Sequence, residues 1–184
     1  MTAEEVAQLA ERAAKVITGG GGVKALAQLL ADAVDGSVLV EDEQWRHLAL
    51  AEGSSAVGPL PPSFAPYHNG AQPPAGEDSD AQIERAKIDE RVTAYCASMP
   101  GAPDADGVAG YVTVFVAGKT ASAVAAALRV VAGAAGVERL RRGAGRSQTR
   151  RAFWDRLLSG GFSDAAAMRD DAAAASSFSA AESA

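Results

Sequence analysis

Cysteine is all but missing: Cys96 is the one thiol in 184 residues, which excludes an internal disulfide framework and is compatible with a reducing cytosol. Aromatic residues are scarce at 5%, and alanine supplies much of the 48% apolar fraction, so the core should be thin in places. No apolar run reaches the ~18 residues of a membrane-spanning helix. The first segment is acidic and amphipathic, unlike a signal peptide. Positive charge is in deficit as well, and the net charge of −6 argues against nucleic-acid or anionic-membrane binding by the chain itself. A cytoplasmic protein with no membrane contact is the expectation.

Against these absences stands one strong stretch. Tyr111 to Val116 is a β-branched and aromatic run bounded by Gly110 and Gly118, which reads as a buried central strand. A long helix follows, on which Val124, Leu128, Val131 and Ala135 recur at three and four residues. That narrow apolar stripe suits a partner helix, so these four residues are the expected seam of a homodimer.

Around this stretch the chain punctuates itself. Thr2 to Glu5 fits a capping box ahead of a helix carrying Val6, Leu9, Ala13, Val16 and Ile17. Gly19 to Gly22 break it, and Val23, Leu26, Leu30 and Val34 form a second helix ended by Asp35-Gly36. Ser37 to Val40, a polar turn at Glu41 to Glu43, and Trp45 to Leu50 read as a β-hairpin. From Gly53 to Asp80 the periodicity vanishes and six of the eight prolines gather, the mark of a lid, a binding loop or a disordered insertion. Charges at helical spacing suggest a short helix over 81–89, and Arg91 to Met99 a strand that pairs with the central one. Gly143-Ala-Gly145 should break the long helix. Ser147 would cap another, carrying Phe153, Trp154, Leu157 and Leu158, and Ser163-Asp164 could start a last one over 165–174. The expected domains are 1–142 and a helical extension over 143–184.

Motifs with chemistry are weak. Gly118-Lys119-Thr120 lies between strand and helix, but a P-loop needs a glycine where Thr113 sits inside the strand. Gly143-Ala-Gly145 fails as a dinucleotide fingerprint because Gln148 takes the third glycine position. His47, His68 and Cys96 are scattered singly, so no metal site is expected. No nucleophile has a motif around it, so neither enzyme activity nor a cofactor is expected. The arginines from Arg139 to Arg156 read as a solvated face, or as partners for acids across a helical dimer.

Three segments carry a resemblance: Val34-Asp-Gly-Ser-Val-Leu-Val-Glu-Asp-Glu-Gln-Trp-Arg-His-Leu-Ala-Leu, Arg91-Val-Thr-Ala-Tyr-Cys-Ala-Ser-Met-Pro, and Gly110-Tyr-Val-Thr-Val-Phe-Val. Together they resemble the N-terminal sensor of bacterial transcriptional regulators of the PucR/CdaR type, whose sensor is often GAF-like. Arg151-Ala-Phe-Trp-Asp-Arg-Leu-Leu-Ser-Gly-Gly-Phe is similar to the start of that family's middle domain. The resemblance implies a ligand-sensing and dimerisation module with an unknown small-molecule effector. It implies DNA binding only for a parent regulator, through a helix-turn-helix that has no counterpart in these residues. The element order independently suits an α+β fold, a GAF/PAS-like antiparallel sheet with helices packed on one face, followed by a long helix and a short helical extension. Trp45, His47, Arg91 and Tyr95 place rings or a cation on strands beside the proline-rich loop, and are the candidate ligand-binding residues. The alternative is a stand-alone interaction protein that binds a partner through its terminal helices.

Overall fold

A computed structural model describes residues 1–55, 58–68, 83–101, 107–119, 121–159 and 165–176. Half of the proline-rich loop, residues 102–106, the helix start at Ser163-Asp164 and the residues beyond 176 lie outside the described residues. The described chain is mixed helix and sheet, and forms two compact units, Met1–Arg139 and Leu140–Ala184.

Helix α1 (Ala3–Thr18) begins with the capping box: the Glu5 amide donates to Thr2 Oγ1 at 3.2 Å, and the Thr2 amide donates to Glu5 Oε2 at 2.6 Å. The two bonds occupy amides that have no partner inside the helix. Helix α2 (Gly22–Val34) stops where Asp35 turns left-handed at φ 47°. The Lys119 ammonium donates to the carbonyls of Val34 and Asp35. There a cation meets the negative end of the helix dipole, so the lysine of the Gly118-Lys119-Thr120 sequence serves as a helix cap.

Strands β1 (Ser37–Asp42), β2 (His47–Glu52), β3 (Ile83–Lys87), β4 (Val92–Pro100) and β5 (Val108–Ala117) form one antiparallel sheet in the order β2-β1-β5-β4-β3. Because side chains alternate along a strand, each strand divides its residues between two faces. Val38, Val40, Val112, Val114, Tyr95 and Met99 pack with Leu26 and Leu30 of α2, Leu9 of α1, and Leu128 and Val131 of helix α3 (Ala121–Leu158). Leu39, Ala94, Cys96 and Phe115 face the other way, under Phe64.

The structure departs from the sequence reading at four places. Residues 83–87 are a strand, not a helix: charge spacing in so short a segment gives little helical stability, and the free edge of β4 offers a complete ladder from Ile83↔Ala97 to Lys87↔Thr93. Glu41 and Asp42 belong to β1 and are buried, not part of an exposed turn. Helix α3 runs unbroken through Gly143 and Gly145 and past Ser147. Each glycine costs about 1 kcal/mol in a helix, less than renucleating a second helix would. The fourth departure concerns the expected dimer seam. Val124, Leu128, Val131 and Ala135 are each no more than 1% exposed and belong to the chain's own core, so a second copy cannot reach them. Gly136 makes this seating possible, since a Cβ there would stand 2.5 Å from the Pro100 carbonyl oxygen.

The short helix α4 (Ala165–Ser176) belongs to the second unit.

Candidate functional site

On the sheet face opposite the helices, polar groups and rings meet beneath the segment 58–68. The β1–β2 turn positions the first of them. Asp42 Oδ1 accepts from the amides of Gln44 at 2.9 Å and Arg46 at 2.8 Å, and its Oδ2 takes Arg46 Nε at 2.7 Å. Burial opposes ionisation of Asp42, but these donors outweigh it and hold the carboxyl below the usual aspartate range. The turn they fix carries Trp45 at φ 61°, a left-handed conformation uncommon for so large a side chain. The indole stacks on Tyr111 with ring centroids 3.9 Å apart and 5° between planes.

His68 closes the group. Its ring lies 4.8 Å from that of Trp45 and 5.4 Å from that of Tyr111, and Nδ1 is 2.9 Å from Glu84 Oε2 on β3. Phe64, fully buried, sits 6.4 Å from Trp45 and 5.9 Å from Tyr67. The Phe64 amide donates to Glu41 Oε2 at 3.1 Å. Glu41 Oε1 has no hydrogen-bond partner although the residue is only 1% exposed, and Ser37 Oγ on the same face is also buried and unpartnered. Gly110 makes room at this point: with φ +143°, any Cβ would fall 2.2 Å from the Glu41 carbonyl oxygen.

Burial pushes the Cys96 thiol up to about 12; the neighbouring Thr113 hydroxyl opposes the rise, and the Glu84 and Glu41 carboxylates add to it. Burial, followed by Cys96 and Glu84, likewise raises the Tyr111 hydroxyl above its ordinary value. Cys96 is therefore a poor nucleophile. Among the described residues, no set of three or more His, Cys, Asp or Glu side chains is placed to hold a metal ion.

Of the four candidate ligand residues, only Trp45 belongs to this group. His47 is exposed at the start of β2. Arg91 is exposed in the β3–β4 turn, which Asp89 holds by accepting from the Arg91 and Val92 amides, both at 2.7 Å. Tyr95 lies on the helix-covered face, 1% exposed, with its hydroxyl donating to the Lys119 carbonyl at 3.1 Å. Glu41, Phe64, His68, Glu84 and Tyr111 escaped the sequence reading. Extending the Ser37-Leu39 alternation by two residues points to Glu41, whereas nothing local marks His68.

Elsewhere, a hollow of about 430 Å³ is walled by residues that include Glu5, Gln8, Arg12, Val34 and Lys119. Two of its charged walls are already engaged, Glu5 in the α1 cap and Lys119 on the end of α2, so its polar groups do not converge on a common point as a ligand site requires.

The chain matches no protein-family model and no curated protein.

Proposed function

We propose that residues 1–139 are a non-catalytic, GAF/PAS-like ligand-sensing module of a cytoplasmic transcriptional regulator of the PucR/CdaR type, with Leu140 onward leading to further parts of such a regulator. The observation that carries this reading is the division of labour across the sheet. Residues of three helices pack on one face, while the other gathers Trp45, Tyr111, His68, Phe64 and an incompletely bonded Glu41, with residues 58–68 over it. A few convergent polar groups in an otherwise apolar and aromatic setting are what a small-molecule site requires. In this reading DNA is contacted by a separate domain. Among the described residues no helix is long and apolar enough to cross a membrane.

The effector would act by binding one arrangement of the module more tightly than another, shifting the population by that difference. Pairing of two copies, if it transmits the change, has to use surfaces other than the buried stripe. Val137 of α3 is 52% exposed. It is the proposed homodimer contact in place of Leu128.

A metabolite panel followed by thermal unfolding tests the sensor. A fitting effector at a hundred times its dissociation constant stabilises the chain by about 2.7 kcal/mol. A broad panel that leaves the melting temperature unmoved rejects the reading. The dimer is tested separately by light scattering of Val137→Asp, expected to be monomeric where the parent chain is not.

A further inference from the structure

We propose that the covered face of the sheet recognises a small organic cation bearing N–H donors on a flat apolar body, a protonated amine or an amidinium. Its head group would bond Glu41 and its body would lie against Trp45 and Tyr111. This deepens the sensor reading and rests on it.

The buried carboxylate sets the chemistry. Glu41 is 1% exposed, and only its Oε2 is bonded, to the Phe64 amide at 3.1 Å. Its Oε1 is buried with acceptor capacity unused, and a carboxylate oxygen in such a place calls for a donor. A second carboxylate, Glu84, stands on the same face against His68, so an anionic ligand would meet two like charges. The Arg46 guanidinium, in the turn that carries Trp45, is largely exposed and bonded to Asp42. His68, which carries positive charge only when protonated, already has Glu84 as its partner.

The rings add a second, independent preference. Trp45 and Tyr111 stack, with His68 tilted against both. Ring faces attract cations within about 6 Å of a centroid, and a flat body can slide against the indole. Entry requires segment 58–68 to lift, breaking the Phe64–Glu41 bond and the His68–Glu84 contact. A ligand N–H on Glu41 then replaces the lost Phe64 donor, while a ligand without one leaves the carboxylate bare. That asymmetry gives selectivity against neutral and anionic analogues.

The test uses the full chain and four matched probes, benzamidine, benzylamine, benzyl alcohol and benzoate, with binding measured by calorimetry and thermal shift. Benzamidine or benzylamine is expected to bind at least tenfold more tightly than the alcohol or the acid. Glu41→Gln should remove that preference while keeping the parent circular dichroism spectrum. If that variant does not fold, Trp45→Leu serves instead and should weaken the cation several-fold. Benzoate binding as well as benzamidine, cation binding indifferent to these substitutions, or no cation binding at all would each overturn the proposal. A neutral or anionic metabolite that protects the chain while both cations do not would sink this inference and leave the sensor reading standing.

Discussion

The helix-covered face of the sheet carries Val38, Val40, Val112, Val114 and Met99, with the Tyr95 hydroxyl bonded to a backbone carbonyl. The loop-covered face carries Ser37, Glu41, Thr113 and Cys96 between Leu39 and Phe115, all buried. Both faces come from the same strands, so propensity and register cannot explain the difference. What differs is the cover. Regular helices supply apolar side chains and use their own backbone groups internally, so the face beneath them can be purely apolar. An irregular segment brings free amides such as that of Phe64, and the face beneath it must offer acceptors such as Glu41. The first face is built for stability, and the second retains polar groups whose bonding is incomplete.

The comparison breaks most readily at Leu128. Leu128→Ala should destabilise the chain by about 2–5 kcal/mol in denaturant titrations, as for a fully buried leucine that leaves a cavity. Dissociation of an otherwise stable dimer in its place would return this residue to a seam. Gly110→Ala comes next, because a left-handed position and a Cβ 2.2 Å from the Glu41 carbonyl cost about 1–3 kcal/mol or more. Its effect should reach the covered face as a lost Trp45 fluorescence signature, read in a Trp154→Phe background. Glu41→Gln should change stability by no more than about 1 kcal/mol, since it keeps the acceptor for Phe64 and removes a buried charge. A loss near that of Leu128→Ala would mean the loop-covered face is core like the other.

Acid sharpens the contrast further. Asp42 titrates lower in the folded chain than the ordinary value of about 3.9. Between the two values the unfolded chain therefore binds more protons, and stability rises with pH there. The contribution of Asp42 is complete above about pH 5 and fades as pH falls through the folded value. Asp42→Asn should flatten that part of a stability–pH curve and loosen the turn that holds Trp45. The smallest effect belongs to Cys96: with its thiol at about 12 and buried, it should ignore a thiol reagent at pH 8 until the chain unfolds.

Much of the fold was legible because it is written in local signals. The Thr2–Glu5 cap, the Asp35-Gly36 stop and the apolar run through Val112 to Val116 each state a local preference that the tertiary structure keeps. The covered face was legible only in part. Trp45 was found because it is aromatic beside a turn. Tyr95, equally aromatic, was assigned to the same pocket although strand parity places it with Val114 on the helix side. Parity could be resolved only once the register of β4 and β5 was known.

By itself the sequence determined the helices at the start, the central strand, the long exit helix and the lack of any disulfide, since capping, β-branching and composition act within a few residues of themselves. Tertiary structure decided that 83–87 is an edge strand, that the stripe from Val124 to Ala135 serves the chain's own core, and that Glu41 meets Phe64 across 23 residues of separation. Each of these depends on a partner distant in the chain, and the free energy of a ladder, a buried stripe or a buried carboxylate comes from that partner.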